Sequence, residues 1–191
     1  MKFRWLLFTK CIFMLSVIHL KAAVLFQDDF SDPAVSYKNW LSLNPSFNTV
    51  DFSDGVCKIT DTSSSYSSMV YHTFQNKPSV FTLSCTMIRE NESVRAGVAV
   101  CYSQTEGHYS VQLGDKQIFF LKPGDTSAKG ISCPNLDSQN NKISVSKSGN
   151  KFNVFINDRF ITSYEGGSVV DGDIAFVSYP KTSVIFDNVV V

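Results

Sequence analysis

Apolar and polar residues alternate in short runs along most of this chain. The pattern is clearest from Asn141 onward, where 142–147, 151–157 and 159–164 each alternate and tight turns separate them. A period of two marks half-buried strands, and its repetition between short turns marks an antiparallel sandwich. The same test predicts strands at 24–30, 47–52, 56–60, 69–74, 80–88, 94–102, 108–113, 117–121, 173–177 and 183–191. Val80–Ile88 is apolar and β-branched and should be central. Val94–Tyr102 should pair back on it as a hairpin across the charged Arg89–Ser93 turn. Asn157-Asp158 suits a tight hairpin, because both residues tolerate a left-handed backbone. Asp28–Asn39 reads as loop, with Ser31-Asp-Pro as its turn signal, and 122–140 is the longest irregular stretch. No segment sustains a helical period, and neither a linker nor an internal repeat is visible. The pattern predicts one all-β, antiparallel two-sheet β-sandwich.

The N-terminus changes the domain limits. Lys2 and Arg4 precede a mostly apolar run from Trp5 to Leu20, interrupted at Thr9-Lys10, and Leu20-Lys-Ala-Ala offers small residues for cleavage. This is the pattern of a secretory signal peptide over 1–22, with the domain at 23–191. The alternative, a membrane anchor, needs ~20 apolar residues, and the run after Lys10 holds about ten. Phe8-Thr-Lys before Cys11 lacks the small apolar residues of a lipoprotein site. The expected location is secreted, periplasmic or extracellular. Without the signal, 13 basic residues face 17 acidic ones, a net charge of −4. That balance argues against nucleic acid and anionic membrane as partners, since both need a basic face.

Cys57, Cys85, Cys101 and Cys133 remain after processing. Four cysteines in an oxidising compartment allow two disulfides in three connectivities; the other reading is four reduced thiols. Strand parity bears on one pairing. Phe81, Leu83, Cys85 and Met87 share a face, whereas Val98, Val100 and Tyr102 share one that excludes Cys101. Cys85 and Cys101 should then point to opposite sides. No CxxC pair exists, and His72 and His108 alone survive processing, so a zinc pattern is absent.

No catalytic motif stands out. Serine-hydrolase elbows and phosphate loops are absent. Glu90 and Glu92 are spaced to share a strand face, but they flank Asn91 in a charged turn and read as solvated. Asn91-Glu-Ser is an N-glycosylation acceptor if the source is eukaryotic. Binding chemistry has better candidates. Flat rings with a polar edge can stack on sugar C–H faces while neighbours hydrogen-bond the hydroxyls. Trp40, Tyr66, Tyr71, Tyr102, Tyr109 and Tyr179 are such rings, with His72, Arg95, Gln112 and Asn153 as polar company.

Three motifs in order carry a resemblance. They are Phe26-Gln-Asp-Asp-Phe-Ser-Asp with Trp40, Gly97-Val-Ala-Val with Gly107-His-Tyr-Ser-Val-Gln-Leu, and the ending from Asn141-Lys-Ile-Ser-Val to Phe186-Asp-Asn-Val. Over 24–191 the chain resembles the concanavalin A-like lectin/glucanase superfamily, and within it the laminin-G-like and bacterial sugar-associated jelly-roll modules. Asn157-Asp158 departs from the usual Asn-Gly, and either pair makes the turn. The resemblance implies a jelly roll with glycan on the concave sheet face. It also implies a structural calcium where first and last strands meet, with Asp187 at the matching position and Asp29 and the Gly55 carbonyl beside it. The hydrolytic branch needs paired carboxylates on one strand, and four Glu in the whole chain leave little to build them. The leading expectation is a non-catalytic carbohydrate-binding module for a polysaccharide or glycan. The alternatives are a structural or adhesive module that binds protein, and a glycoside hydrolase with an atypical site.

Overall fold

The computed structural model describes residues 23–191, apart from 66, 104, 126, 129 and 168–170. The signal peptide over 1–22 and Tyr66 therefore lie outside the described residues. In chain order the elements are β1 (Gln27–Asp28), α1 (Pro33–Asn39), β2 (Leu41–Ser42), β3 (Asn48–Asp51), β4 (Cys57–Asp61), β5 (Ser68–His72), β6 (Phe81–Arg89) and β7 (Ala96–Ser103). There follow β8 (Gly107–Gly114), β9 (Gln117–Leu121), β10 (Gly130–Ser132), β11 (Asn140–Ser148), β12 (Lys151–Ile156), β13 (Arg159–Glu165), β14 (Asp173–Ser178) and β15 (Ser183–Val190). They form two antiparallel sheets. The first runs β13-β12-β11-β6-β15-β4-β3, with β1 against the end of β15, and the second runs β10-β9-β8-β7-β14-β5-β2.

Alternation decides which side chains lie between the sheets. In β6, Phe81, Leu83, Cys85 and Met87 point inward; across the gap so do Val98 and Val100 of β7, Tyr109, Val111 and Leu113 of β8, and Ile174 and Phe176 of β14. Each such side chain contributes about 1.5–3 kcal/mol relative to exposure. A column of rings joins the layers: Trp40 stacks on Phe176 at 4.5 Å, and Phe176 stacks on Phe186 at 4.1 Å. The expected central position of β6 is observed, between β11 and β15. The Asn157-Asp158 hairpin is also observed, with φ of 52° and 62° joining β12 to β13.

Three local expectations are corrected. β7 does not pair back on β6, because the two lie in different sheets. Both strands carry an apolar face, so each is satisfied by facing the other across the core. The stretch 28–39 is not all loop: Asp32 caps α1, its Oδ1 accepting from the Ala34 and Val35 amides at 3.1 and 3.3 Å, and Pro33 opens the helix. Asp-Pro is a helix start as well as a turn signal. Finally, the parity of β7 breaks at its end. Its register against β8 shifts between Val100 and Ser103, and Cys101 takes a φ of 53°. This bulge turns Cys101 into the core beside Val100 and sends Tyr102 to the outer face. Cys85 and Cys101 thus both face inward. Among the described residues there is no disulfide, and all four cysteines are buried. Burial pushes the Cys85 thiol up to about 12 and Cys101 to about 11, the mark of unreactive core thiols.

Candidate ligand-binding face

The outer face of the second sheet has an unusual composition. On β7 the outward residues Gly97 and Ala99 stand opposite Gln112 and Ser110 of β8, and on the other side opposite Val177 and Ala175 of β14. Small side chains thus floor the middle of the face. Longer ones rise around them. Met69 and Tyr71 of β5 and the outward-turned Tyr102 pack against Ala99, Ala175 and Val177. On the β9 side, Phe119 and Leu121 stand opposite Gln112 and Ser110. Lys122–Asp125 continues that wall over a cavity of about 200 Å³, lined also by Ser67, Met69, His108, Gln112, Val177 and Tyr179.

The two ends of this trough are built differently. At one end Tyr71 and Tyr102 lie 5.1 Å apart, with His108 6.1 Å from Tyr102. Burial, Tyr71 and Asp173 hold the Tyr102 phenol above its usual range, and burial lowers His108, favouring its neutral ring. The Tyr102 hydroxyl is buried without a hydrogen-bond partner. At the other end the Arg95 guanidinium is clamped between two rings, 4.0 Å from Phe119 and 4.6 Å from Tyr179. Its Nε donates to Gln112 Oε1 at 2.8 Å, and Gln112 Nε2 donates to Ser110 Oγ at 2.9 Å. Arg95 Nη2 is buried with no partner, and none of the ion pairs among the described residues involves Arg95. Burial lowers the guanidinium from its ordinary range, and Tyr179 opposes that shift; at neutral pH the group stays charged.

Of the rings singled out in the sequence, Tyr71, Tyr102 and Tyr179 meet on this face. Two are corrected by their position. Tyr102, Trp40 and Tyr109 are all buried, at 3%, 4% and 1% exposure, but Trp40 and Tyr109 lie between the sheets whereas Tyr102 packs on the outer face. Trp40 Nε1 donates to Asp28 Oδ2 at 3.0 Å, and Tyr109 OH accepts from Gly167 N at 2.5 Å; these hydroxyl and indole groups hold the core rather than meet a ligand. Of the polar company, Arg95 and Gln112 are here. His72 stacks on Phe26 at 3.7 Å, and Asn153 bonds Ser146 and Ser163 on the other sheet. The small floor residues were not anticipated. Their signal was available, since Gly97, Ala99 and Ala175 alternate with the inward Val98, Val100, Ile174 and Phe176.

Carboxylates are sparse on this face. Asp125 lines the cavity and accepts from the Lys122 amide at 2.8 Å, and among the described residues no second carboxylate lines it. Glu90 and Glu92 sit in the β6–β7 turn, where Lys116 lies 3.7 Å from Glu92. The expected calcium corner is elsewhere. Register brings Asp29, Asp187 and the Gly55 turn near one another along β15. Asp187 is engaged by the Asn188 backbone and side-chain nitrogens, both at 2.7 Å, and Asp29 Oδ1 by Ser31. Among the described residues no three His, Cys, Asp or Glu side chains gather as a metal site.

Comparison with known proteins follows the fold. No protein-family model and no curated protein matches the chain. Solved structures do. Carbohydrate binding module CBM66 from Bacillus subtilis superposes with a TM-score of 0.62 at 16% identity, covering 79% of this chain and 93% of that one. A protein with a galectin-like fold from Bacillus subtilis gives 0.66 at 9% identity, covering 88% and 95%. A laminarinase from Flavobacterium sp. UMI-01 gives 0.64 at 9% identity, covering 88% and 99%. No helix among the described residues is long and apolar enough to cross a membrane. Two open antiparallel sheets in this strand order, superposing on those proteins, establish that the chain has the concanavalin A-like jelly-roll fold.

Proposed function

We propose that the protein binds a polysaccharide or glycan, without cleaving it, along the outer face of the second sheet. One observation carries this reading. Of the seven buried side-chain polar atoms without a partner among the described residues, two, the Tyr102 hydroxyl and Arg95 Nη2, belong to the two ends of that face. A buried polar group left unmet costs about 1–3 kcal/mol, so its persistence points to a partner supplied from outside. Both lie at the ends of β7, some 20 Å apart at the rise of a strand, with small residues between them. An extended ligand is the shape that reaches both. The exposed edges of Tyr71 and Tyr179 offer ring faces, and Gln112 and Ser110 offer hydrogen bonds. The similarity to a carbohydrate binding module supports the class of ligand. The similarity to a laminarinase favours the second reading, a hydrolase, but the single carboxylate at the cavity is not the pair that glycoside cleavage uses.

The test is a glycan array on the purified protein, followed by a reducing-end assay on each glycan bound. Saturable binding with no new reducing ends is expected. New reducing ends would turn the assignment to the hydrolase, and a blank array from folded protein would turn it to a protein partner. The reading places the protein outside the cytoplasm. N-terminal sequencing of exported material should then begin at Ala23; an intact Met1 would contradict export by cleavage.

A further inference from the structure

We infer that the ligand is acidic: a sugar bearing a carboxylate or sulfate that Arg95 receives. This rests on the binding face proposed above and names the chemistry of one end of it. A guanidinium has one edge formed by Nε and Nη2, which matches the two oxygens of a carboxylate. In Arg95 that edge is half used. Gln112 Oε1 takes Nε at 2.8 Å, while Nη2 has nothing. A single neutral amide oxygen thus stands where an oxyanion would fill both positions. Gln112 itself lines the cavity and Arg95 lies behind it, so an oxyanion reaches this edge by taking the place of the Gln112 amide oxygen.

The surroundings favour an anion over a hydroxyl. Phe119 and Tyr179 both lie over the guanidinium, at 4.0 and 4.6 Å, which restricts its plane and shields part of it from water. A half-buried cation gains most from a charged partner, and this one has no carboxylate of the protein within ion-pair range among the described residues. Arg89 differs in degree. It is fully buried, its Nη1 donates to the carbonyls of Glu92 and Val94 and its Nη2 to that of Asp137, and its Nε is left without a partner. Of the remaining charges near the cavity, Lys122 adds a second cation, and Asp125 turns one oxygen to the Lys122 amide.

The experiment titrates the protein with matched probes: oligogalacturonate against its methyl ester, and heparin against desulfated heparin. Binding of one charged probe at least about tenfold tighter than its neutral counterpart is expected, as for charge-assisted bonds, and the pair that shows it tells carboxylate from sulfate. Arg95→Gln should erase that preference. Arg95→Lys, which keeps the charge and loses the fork, should recover part of it, and thermal unfolding checks that both variants fold. Equal affinity for charged and neutral probes, or a preference unchanged in Arg95→Gln, would overturn the inference. If neutral glycans then bind and Tyr102→Ala weakens them, the binding face stands and its acidic specificity alone falls.

Discussion

Asp28→Ala should destabilise the protein by about 3–5 kcal/mol, because one carboxylate satisfies three donors at once. Its Oδ1 accepts from Phe30 N at 2.8 Å and Ser36 Oγ at 3.0 Å, and its Oδ2 from Trp40 Nε1 at 3.0 Å. These bonds hold more than themselves. Phe30 sits at a φ of 58°, a conformation bulky residues avoid, and its buried ring stacks on Phe52 at 5.5 Å. Ser36 ties α1 to β1, and Trp40 stands at the head of the ring column between the sheets. Alanine would leave a buried indole N–H, a hydroxyl and an amide unmet, and would release Phe30. For a domain of this size the loss corresponds to a fall in Tm of roughly 10 °C. Asp28→Asn keeps an acceptor for part of the set and should cost less. Calorimetry of the three proteins checks this, and a change under about 1 kcal/mol for the alanine variant would contradict the role given to Asp28.

Gly97→Ala is the second large effect, and it couples stability to function. A Cβ at this position would lie 2.0 Å from the Val111 carbonyl oxygen and 2.6 Å from Gln112 Cα. Both are backbone atoms of the paired strand, so no side chain can swing aside. β7 and β8 would have to separate, at a cost of about 3 kcal/mol. The gap opens beside Gln112, the residue that holds the Arg95 guanidinium. Alanine at 97 should therefore lower Tm and weaken ligand binding together. Thermal unfolding beside a binding titration reads both, and wild-type values in both would show that the floor tolerates a side chain.

These residues also show what was legible in the sequence. Period-two alternation located most strands and their inward residues, and the Asn157-Asp158 turn followed from its composition. Which strands pair was not legible for β6 and β7, because an apolar face looks the same whichever sheet it belongs to. The short α1 lacks the length for a helical period to emerge. The bulge at Cys101 has no local marker, since cysteine is not a residue that favours positive φ, yet it alone puts Tyr102 outside. Tyr109 could have been placed correctly: it shares parity with Val111 and Leu113, and so points to the core, while Ser110 and Gln112 take the other side. Trp40 follows a helix, where strand parity says nothing, and only its bond to Asp28 reveals a structural role. Arg95 was visible as a polar neighbour of rings; its half-used edge was not, because that depends on three strands meeting.

The central claim is that the outer face of the second sheet is the ligand site. It is tested most directly by titrating the best glycan from the array into wild type, Tyr71→Ala, Tyr102→Ala and Asn153→Ala. The first two variants remove rings from the face, and the third changes the opposite sheet. Losing a stacking ring should weaken binding by about tenfold, as truncation of an aromatic anchor does. Wild-type affinity is expected for Asn153→Ala, and thermal unfolding checks that each variant is folded at the titration temperature. Unchanged affinity in both tyrosine variants, or a loss confined to Asn153→Ala, would contradict the assignment of this face.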